Sequence, residues 1–520
     1  MSDKFTRERF LTTVGSGAIY LALASTVACE PAERTSKVSP LHTPTDRLSP
    51  SLASAPPKGS TQAFRSRPDL SPPAIDVTAR AHSQAPGYIF VAPKNGPREE
   101  SPAQDGAMIL DEDGQLVWFR PLHRERRDVM NFKVQRYRSE PVLTWWEGVH
   151  TGYGQGEYVI ADGSYREVTR VRAGKGYKGD HHEFLISHQD TALFNICGLV
   201  LMDLSSVGGP KNAKVLDGIV QEVDIESGEV LFEWHSLEHI GLRESHYQPP
   251  KNQAQKPYDH VHINSIDVDH DRNLLVSARR TSTVYKIERE SGDILWQLGG
   301  KKSDFEMGPG TRFAYQHDAR RQHDGTLTIF DNGLNGATLA PRAPDRSRGI
   351  IIELDEDEMT ATLACEYTHP DELLSLSQGN MQVLPNGNVF IGWGSQPTFS
   401  EFSKDGKLLF NARFPPKVES YRAFRFPWSA HPRERPAAAA ERISAGKVRV
   451  YASWNGATEV ATWEVLAGPR LGQLHSVGSV PWDGFETAML VRTAEPYLVV
   501  RAKHASGRVL GASKAVDLGS

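Results

Sequence analysis

The chain has few cysteines, little charge imbalance and no long apolar run. Only three of its 520 residues are cysteines, which excludes a disulfide-rich scaffold. Lysine and arginine number 59 against 64 acidic residues, without a long basic run, so we expect no nucleic-acid partner. A multi-span membrane protein is excluded because the body of the chain lacks segments of about 20 consecutive apolar residues. Helical periodicity is nearly absent, so β-structure is predicted.

The first 29 residues are typical of a bacterial export signal. Basic residues precede an uncharged stretch, 11–28. Residues 6–11 resemble a twin-arginine motif with Glu8 in place of the second arginine, which leaves the export route open. Residues 26–29 resemble a lipoprotein box, so Cys29 is a candidate for lipidation and membrane attachment; an ordinary cleaved signal and an uncleaved anchor are the alternatives. Each version places the body outside the cytoplasm, in the periplasm or at the cell surface.

A segment rich in proline and serine follows at residues 30–80 and contains one aromatic residue, Phe64. Such a segment buries too little apolar surface to offset its chain entropy, so a disordered tether is predicted. Beyond Cys29, the cysteines are Cys197 and Cys365. The sequence leaves open whether these two form a disulfide.

Short alternating segments separated by turn dipeptides fill residues 87–414. A turn-then-strand cassette alternates with a hairpin around Ser-Gly or Asp-Gly, and one of each makes a four-stranded unit. The six units span about 87–121, 130–173, 181–237, 260–300, 315–369 and 377–414. Repeats of this length predict a six-bladed β-propeller, assigned to residues 81–428.

A smaller unit follows the repeats. A Pro/Ala-rich linker is predicted at 429–446, and strand patterns resume over 447–520. Their spacing suits a small β-sandwich of the immunoglobulin or fibronectin type. The predicted fold class is therefore all-β, a six-bladed β-propeller followed by a C-terminal β-sandwich.

Histidines stand at the same place in successive units, where the first strand begins. His181 and His182 open the third unit, His262 the fourth and His317 the fifth, and Gln378 holds the position in the sixth. Because the first strand of each blade lines the central channel, these side chains are expected to converge there. Such convergence predicts a functional site.

Other residues near these positions are candidates for binding a ligand. Arg279 ends the strand after His262 and needs an anionic partner, either a bound ligand or a carboxylate such as Asp318. Contacts to a substrate are predicted for His181, Asn264, Gln316, Asn332, Trp145 and Trp393. The asparagines also suit turns and strand ends, and the tryptophans also suit packing between blades.

Imidazoles beside an arginine suit three kinds of protein. A neutral imidazole can attack an electrophilic sulfur or phosphorus and form a covalent intermediate, while Arg279 stabilises the charged oxygens. Alternatively, the spacing of His260 and His262 suits metal ligands, as in a metal-dependent hydrolase or lyase. A non-catalytic secreted binding propeller is the third reading. No carboxylate is clearly arrayed with the histidines and Arg279 would repel a cation, so we favour the first reading with no metal.

Three motifs resemble the bacterial arylsulfotransferase family, and the resemblance covers about 87–428. They are His262-Ile263-Asn264-Ser265 with Ser277-Ala278-Arg279, Gln316-His317 with Asp331-Asn332-Gly333, and His181-His182-Glu183. The resemblance implies a six-bladed propeller that transfers a sulfuryl group from an aryl sulfate to a phenol. It implies no cofactor, not even 3′-phosphoadenosine phosphosulfate. The oligomeric state stays open, a homodimer included.

The resemblance also implies roles for individual residues. His317 would be the nucleophile that becomes a sulfohistidine. His262 and Arg279 would bind the sulfuryl oxygens and assist proton transfer, and His182 would be the histidine supplied by the third blade. The well-studied members carry their small sandwich at the N-terminus, whereas here it is C-terminal, which indicates a divergent branch.

Overall fold

The computed structural model describes residues 60–95, 101–122, 127–150, 152–251, 256–334 and 346–519. Within these ranges the helical segments are short: α1 (Ser236–His239) and the 3-10 turns Ser205–Val207 and Leu242–Glu244. The predicted all-β class is confirmed. The predicted export signal, with Cys29, lies outside the described residues. Among the residues described, no helix has the length and apolar character needed to cross a membrane.

Strands joined by tight turns make up most of the structure. Up to residue 235 they are β1 (Asp76–Arg80), β2 (Tyr88–Asn95), β3 (Gly106–Leu110), β4 (Leu116–Pro121), β5 (Asp128–Tyr137), β6 (Glu140–His150), β7 (Gly154–Ala161), β8 (Glu167–Val171), β9 (Gly179–Ile186), β10 (Thr191–Met202), β11 (Ala213–Asp224) and β12 (Val230–His235). From there to residue 426 they are β13 (Tyr258–Asp259), β14 (Ile263–Val268), β15 (Leu274–Ala278), β16 (Thr283–Ile287), β17 (Ile294–Gly299), β18 (Glu306–Met307), β19 (His317–Arg321), β20 (Leu327–Asp331), β21 (Arg348–Asp355), β22 (Thr360–Thr368), β23 (Asn380–Val383), β24 (Val389–Gly392), β25 (Thr398–Phe402), β26 (Leu408–Arg413) and β27 (Val418–Phe426).

Antiparallel four-stranded meanders recur along this part of the chain. They are β5–β8, β9–β12, β14–β17, β19–β22 and β23–β26, and a further four-stranded sheet has the order β27-β2-β3-β4. The first strands of these units contact one another in the order β27, β5, β9, β14, β19, β23, and β23 contacts β27 again. Apolar clusters fill the spaces between neighbouring sheets, as where Trp118 of β4 packs against Phe132 of β5.

The first repeat differs from the predicted unit at 87–121. Its inner strand is β27, which comes from the other end of the repeat region and pairs antiparallel with β2, Tyr88 opposite Phe426. Residues 418–426 follow the last predicted unit, which ends at 414, and nearly all of them are buried. The two ends of the repeat region therefore pair within one sheet, which sequence periodicity alone does not reveal.

Part of the predicted tether is ordered. Residues 60–80 are described, and β1 pairs antiparallel with β26. Leu70 is buried in one apolar cluster, and Phe64 packs against that cluster. A few well-spaced apolar residues thus offset the chain entropy of a segment that its composition alone assigns to disorder. Residues 30–59 lie outside the described ranges.

The C-terminal residues form two further sheets. Their strands are β28 (Ala437–Ser444), β29 (Lys447–Ser453), β30 (Thr462–Gly468), β31 (His475–Pro481), β32 (Glu486–Arg492), β33 (Tyr497–Lys503), β34 (Val509–Ala512) and β35 (Val516–Asp517). One sheet has the order β28-β29-β32 and the other β31-β30-β33-β34, with β35 also paired to β33. Both contribute to a single core that includes Val450, Trp463 and Val500. Because β28 belongs to this unit, the predicted linker 429–446 is partly a strand.

Candidate active site

The histidines expected from the repeat pattern do meet at the first strands. The ring centroids of His182 and His262 are 4.7 Å apart. The backbone N–H of Arg279 donates to the carbonyl of His262 at 3.0 Å, which ties the arginine to that histidine. His317 is buried near enough to Arg279, His182 and His262 for their charges to affect its titration. The four residues assigned to catalysis therefore share one site.

The imidazole of His317 is held in a defined tautomer by Asn332. The Asn332 amide N–H₂ donates to the carbonyls of Ser375 and Gln378, each at 3.1 Å, so its Oδ1 faces the ring. Nδ1 of His317 lies 2.7 Å from that oxygen and must donate to it. The lone pair then resides on Nε2, where the backbone N–H of Gln378 donates at 3.2 Å. This is the tautomer of a nucleophile that attacks through Nε2.

The environment keeps His317 uncharged. Burial is the largest cause that holds the pKa of this imidazole well below its ordinary range, and the nearby Arg279 guanidinium acts in the same direction. A protonated imidazole has no free lone pair and cannot attack. The lowered pKa therefore keeps the nucleophilic form available.

Each of the other two histidines assigned to catalysis is paired with a carboxylate. Nδ1 of His262 lies 2.5 Å from Oδ2 of Asp259, and Nδ1 of His182 bonds to Oδ1 of Asp180. Burial raises the pKa of Asp259, but the stronger combined effect of its partners, chiefly His262, lowers it to about 2. A carboxylate on Nδ1 orients the ring and leaves Nε2 to face the site, as in other acid–base histidines.

Arg279 is buried without a carboxylate partner among the described residues. Its Nη2 donates to the carbonyl of Leu376 at 2.7 Å, and its guanidinium carbon lies 4.8 Å from the ring centroid of Tyr315. Its Nε is buried and makes no hydrogen bond with any described residue. Burial lowers the pKa of this guanidinium to about 10, so it remains charged at neutral pH. An unpaired buried cation beside three imidazoles is a site for an anion.

Asp318 does not pair with Arg279. It bonds to Arg320 at 2.8 Å and to Arg422 of β27 at 3.3 Å. Glu183 and Lys133 extend this buried cluster of charges across the first strands, with Lys133 Nζ 2.9 Å from Glu183 Oε1. The cations of this cluster pair with its carboxylates, and none of these ion pairs involves Arg279.

The predicted substrate-binding residues divide into two groups. His181 lies within the cluster, 3.9 Å from His182 between ring centroids. The others contact protein rather than open space. Asn332 orients His317. Trp145 and Trp393 are buried in apolar clusters between sheets and have no exposed face for a substrate. Their size and apolar character suit packing equally well, which is why the sequence did not separate the two roles.

The side chains of Asn264 and Gln316 also bind protein rather than facing open space. Nδ2 of Asn264 donates to the carbonyl of Gln316 at 2.6 Å. Nε2 of Gln316 donates to Ser277 Oγ and to the carbonyls of Ala278 and Thr283, at 3.0 to 3.2 Å. These bonds fix the start of β19, and hence His317, against β15 and β16.

One group of described residues has the spacing of a metal site. Asp180, His181 and His182 each offer one atom that could bind a metal, and these three atoms lie within 4.8 Å of one another. The group does not contain His260 or His262, the pair whose spacing suggested a metal in the sequence. Because Nδ1 of His182 already bonds to Asp180, we interpret the arrangement as a carboxylate–histidine pair.

Several site residues were missed by reasoning from the sequence. Asp180 and Asp259 lie two and three positions before the histidines they orient, and Tyr421 of β27 has its ring centroid 5.6 Å from that of His182. His150 at the end of β6 stacks edge-on against His181, with 4.6 Å between centroids. The acidic residues were visible beside the histidines in the sequence; β27 was not visible as a neighbour. Cys197 is a free thiol, so it does not pair with Cys365.

Comparison with solved structures gives similarities of low score. A protein of unknown function from Bacteroides caccae shares 15% identity, with 65% of this chain and 98% of that chain covered and a TM-score of 0.39. A streptogramin B lyase shares 10% identity over 65% of this chain and 86% of that one, with a TM-score of 0.33. Virginiamycin B lyase from Staphylococcus aureus shares 7%, over 74% and 97%, also with a TM-score of 0.33. We draw no conclusion about activity from likeness at this level.

The family comparison is more specific. No curated protein sequence matches the chain. The model of the arylsulfotransferase (ASST) family matches residues 133–415, which is more than half of the chain and includes all four catalytic candidates. The chain belongs to the arylsulfotransferase family.

Proposed function

We propose that this protein transfers a sulfuryl group from an aryl sulfate to a phenol through a sulfohistidine at His317, without 3′-phosphoadenosine phosphosulfate. The observation that carries the proposal is the pairing of two features. His317 presents a neutral Nε2 lone pair, and the buried Arg279 beside it has no carboxylate partner among the described residues. A nucleophile next to an unpaired cation suits attack on a group with several charged oxygens.

In the first half-reaction, Nε2 of His317 attacks the sulfur of the aryl sulfate and the bond from sulfur to the phenolic oxygen breaks. The sulfuryl group displaces the long contact from the Gln378 N–H. Arg279 stabilises the sulfuryl oxygens. The phenolate of a weakly acidic phenol takes a proton from Nε2 of His262 or His182 in its protonated form, whereas nitrophenolate leaves without one. In the second half-reaction, the same imidazole takes the proton of an acceptor phenol, whose oxygen attacks sulfur and releases His317.

The proposal extends to architecture and location. The ring of contacts among β27, β5, β9, β14, β19 and β23 supports six blades around an axis, and the two C-terminal sheets with one core support a β-sandwich. The sequence of residues 1–29 supports export to the periplasm or cell surface, with lipid on Cys29 as the membrane attachment.

A transfer assay tests the activity. Purified protein is incubated with p-nitrophenyl sulfate, with and without phenol, and the products are separated. We expect nitrophenol release that phenol accelerates, together with phenyl sulfate, and we expect both to survive dialysis against a chelator. Loss of activity with the chelator and its return with a metal would instead support a metal-dependent reaction at Asp180, His181 and His182. If none of the aryl sulfates tested releases its phenol, the proposed function is wrong.

Replacing Arg279 by methionine is expected to lower kcat for nitrophenyl sulfate by about 10²–10³-fold, because the charged oxygens lose a cation that has no carboxylate partner among the described residues. Arg279→Lys should recover part of this loss, since it restores the charge without the planar fork. The matched control is Arg272→Met, at an exposed turn residue. Equal kcat values for Arg279→Met and the control would contradict the role of Arg279.

The rate of nitrophenyl sulfate cleavage should stay level as the pH falls through the ordinary imidazole pKa of about 6.5. The pKa of His317 is lowered, so its neutral, nucleophilic form persists below that pH and is lost only in more acidic solution. Nitrophenolate needs no proton to leave, so this donor isolates the nucleophile. A single-turnover pH profile measures it, with circular dichroism confirming the fold. A decline centred on the ordinary value would contradict the assignment.

A further inference from the structure

Four imidazoles form a continuous row that the proposed reaction uses only at one end. The ring centroids are 4.6 Å apart between His150 and His181, 3.9 Å between His181 and His182, and 4.7 Å between His182 and His262. His150 is exposed to solvent, whereas His181 and His182 are buried. The row therefore leads from the surface to the site that holds His317.

His181, the second member of the row, has a side-chain nitrogen that no other described residue binds. Nδ1 of His181 is buried and makes no hydrogen bond with any described residue, and the nearest carboxylate oxygen, on Asp180, is 3.6 Å away. Aromatic rings line the row instead: Trp146 and Tyr421 lie 5.5 and 5.3 Å from His181 between centroids. A buried imidazole nitrogen without a bond needs an explanation, because burying it costs free energy.

The chemistry of a neutral imidazole supplies that explanation. Burial is the largest cause that holds the pKa of His181 well below its ordinary range, so the ring is uncharged at neutral pH. An uncharged imidazole carries one N–H and one lone pair. It can accept a proton on one nitrogen and release another from the opposite nitrogen, which makes it a proton shuttle.

We propose that His150 and His181 relay protons between solvent and the acid–base histidines His182 and His262. This inference rests on the proposed sulfuryl transfer. Transfer from nitrophenyl sulfate to phenol gives nitrophenolate, phenyl sulfate and one proton, so each turnover must discharge a proton from the site. Transfer between two phenols of equal acidity releases none, because the proton taken from the acceptor can be given to the next departing phenolate.

Carboxylates and cations both lie near the row. Asp180 contacts His181 and His182, and Asp259 bonds to His262. Lys94 of β2 is close enough to His150 for its charge to act on that imidazole, and Lys94 forms an ion pair with Glu419 of β27. Arg279 lies at the far end, near His262 and His317. A proton leaving the site thus moves away from the unpaired guanidinium and toward solvent.

The test compares two reactions in one variant. His150→Gln changes an exposed side chain and should fold normally, and His188→Gln, at an exposed turn residue after β9, is the matched control. In weak buffer, His150→Gln should slow the proton-releasing pair, nitrophenyl sulfate with phenol, by about tenfold. This is less than the roughly 10²–10⁴-fold of direct acid–base catalysis, because water and residual buffer still carry protons. The variant should leave the balanced pair, phenyl sulfate with 4-methylphenol, nearly unchanged. Added imidazole should restore the slowed reaction, and it should likewise restore the rate that His181→Gln loses with the proton-releasing pair.

Each other result counts against the relay. If His150→Gln and His181→Gln slow both pairs equally, and imidazole does not help, their role is structural. If wild-type protein transfers sulfuryl groups and neither variant slows the proton-releasing pair, the relay is wrong and the proposed function stands. If wild-type protein transfers nothing, the proposed function fails and the relay fails with it.

Discussion

Replacing His317 by alanine is expected to reduce sulfuryl transfer by at least about 10⁴-fold, because the variant lacks the atom that bonds to sulfur. Binding of the donor should survive, since Arg279, His262 and His182 remain. Steady-state assays with nitrophenyl sulfate and phenol measure the loss of kcat. Inhibition of wild type by an unreactive aryl sulfonate, compared with its binding to the variant, separates binding from chemistry.

The control for His317→Ala is His323→Ala, in the exposed turn between β19 and β20. It changes a histidine near the nucleophile in sequence but outside the site, so its kcat should match that of wild type. Retention of more than a few percent of activity in His317→Ala would show that another group attacks sulfur. His262 and His182 would then be the next residues to replace.

Replacing Glu183 by glutamine is expected to lower the free energy of unfolding by about 3–5 kcal/mol, the usual result of removing one partner from a buried ion pair. Glu183 is fully buried and bonds to Lys133, Arg320 and Arg422. The amide keeps the size of the side chain but removes the one carboxylate that contacts all three cations; Asp318, and Asp267 beside Arg320, remain. Urea unfolding followed by tryptophan fluorescence measures the change.

Glu226→Gln is the matched control, because Glu226 pairs with Arg138 at the exposed surface. The expected change there is about 0–1 kcal/mol. A loss in Glu183→Gln no larger than that of the control would show that the cluster of charges does not hold the first strands together. The candidate active site would then be held in place by backbone hydrogen bonds alone.

The repeat register is enough to predict that His182, His262 and His317 meet. Each lies near the start of the first strand of its unit, and equivalent positions of equivalent strands converge. The same reasoning could not place Asp180 and Asp259. His262 adopts a left-handed backbone conformation with φ of 56°, and irregular strand pairing at the start of β14 and β19 turns neighbouring side chains out of simple alternation.

Asp318 is another residue whose position could not be predicted from side-chain alternation. It directly follows His317, the proposed nucleophile, and the sequence offered it as a carboxylate partner for Arg279. Its φ of 56° and the bulge between His317 and Arg320 carry its carboxylate toward Arg320 and Arg422 instead. Strained conformations of this kind concentrate at functional sites, and periodicity of side chains cannot reveal them.

Pairing between strands that are far apart in sequence accounts for the other differences from the predictions. Tyr421 and Arg422 enter the site on β27, which pairs with β2 across more than three hundred residues of sequence. Likewise, β1 joins β26 although its surroundings in sequence have the composition of a disordered segment. In both cases the pairing partner decides whether a short strand forms, and a single sequence contains no direct signal for that partner.

The most direct test of the central claim is to look for the covalent intermediate. Protein mixed with nitrophenyl sulfate and no acceptor is analysed by intact mass under mild, non-acidic conditions, and the adduct is then located by peptide mapping. The account predicts a mass gain of about 80 Da on His317, removed by phenol and absent from His317→Ala. Release of nitrophenol in the same sample with no adduct at any time point, or with the adduct on another residue, would contradict it.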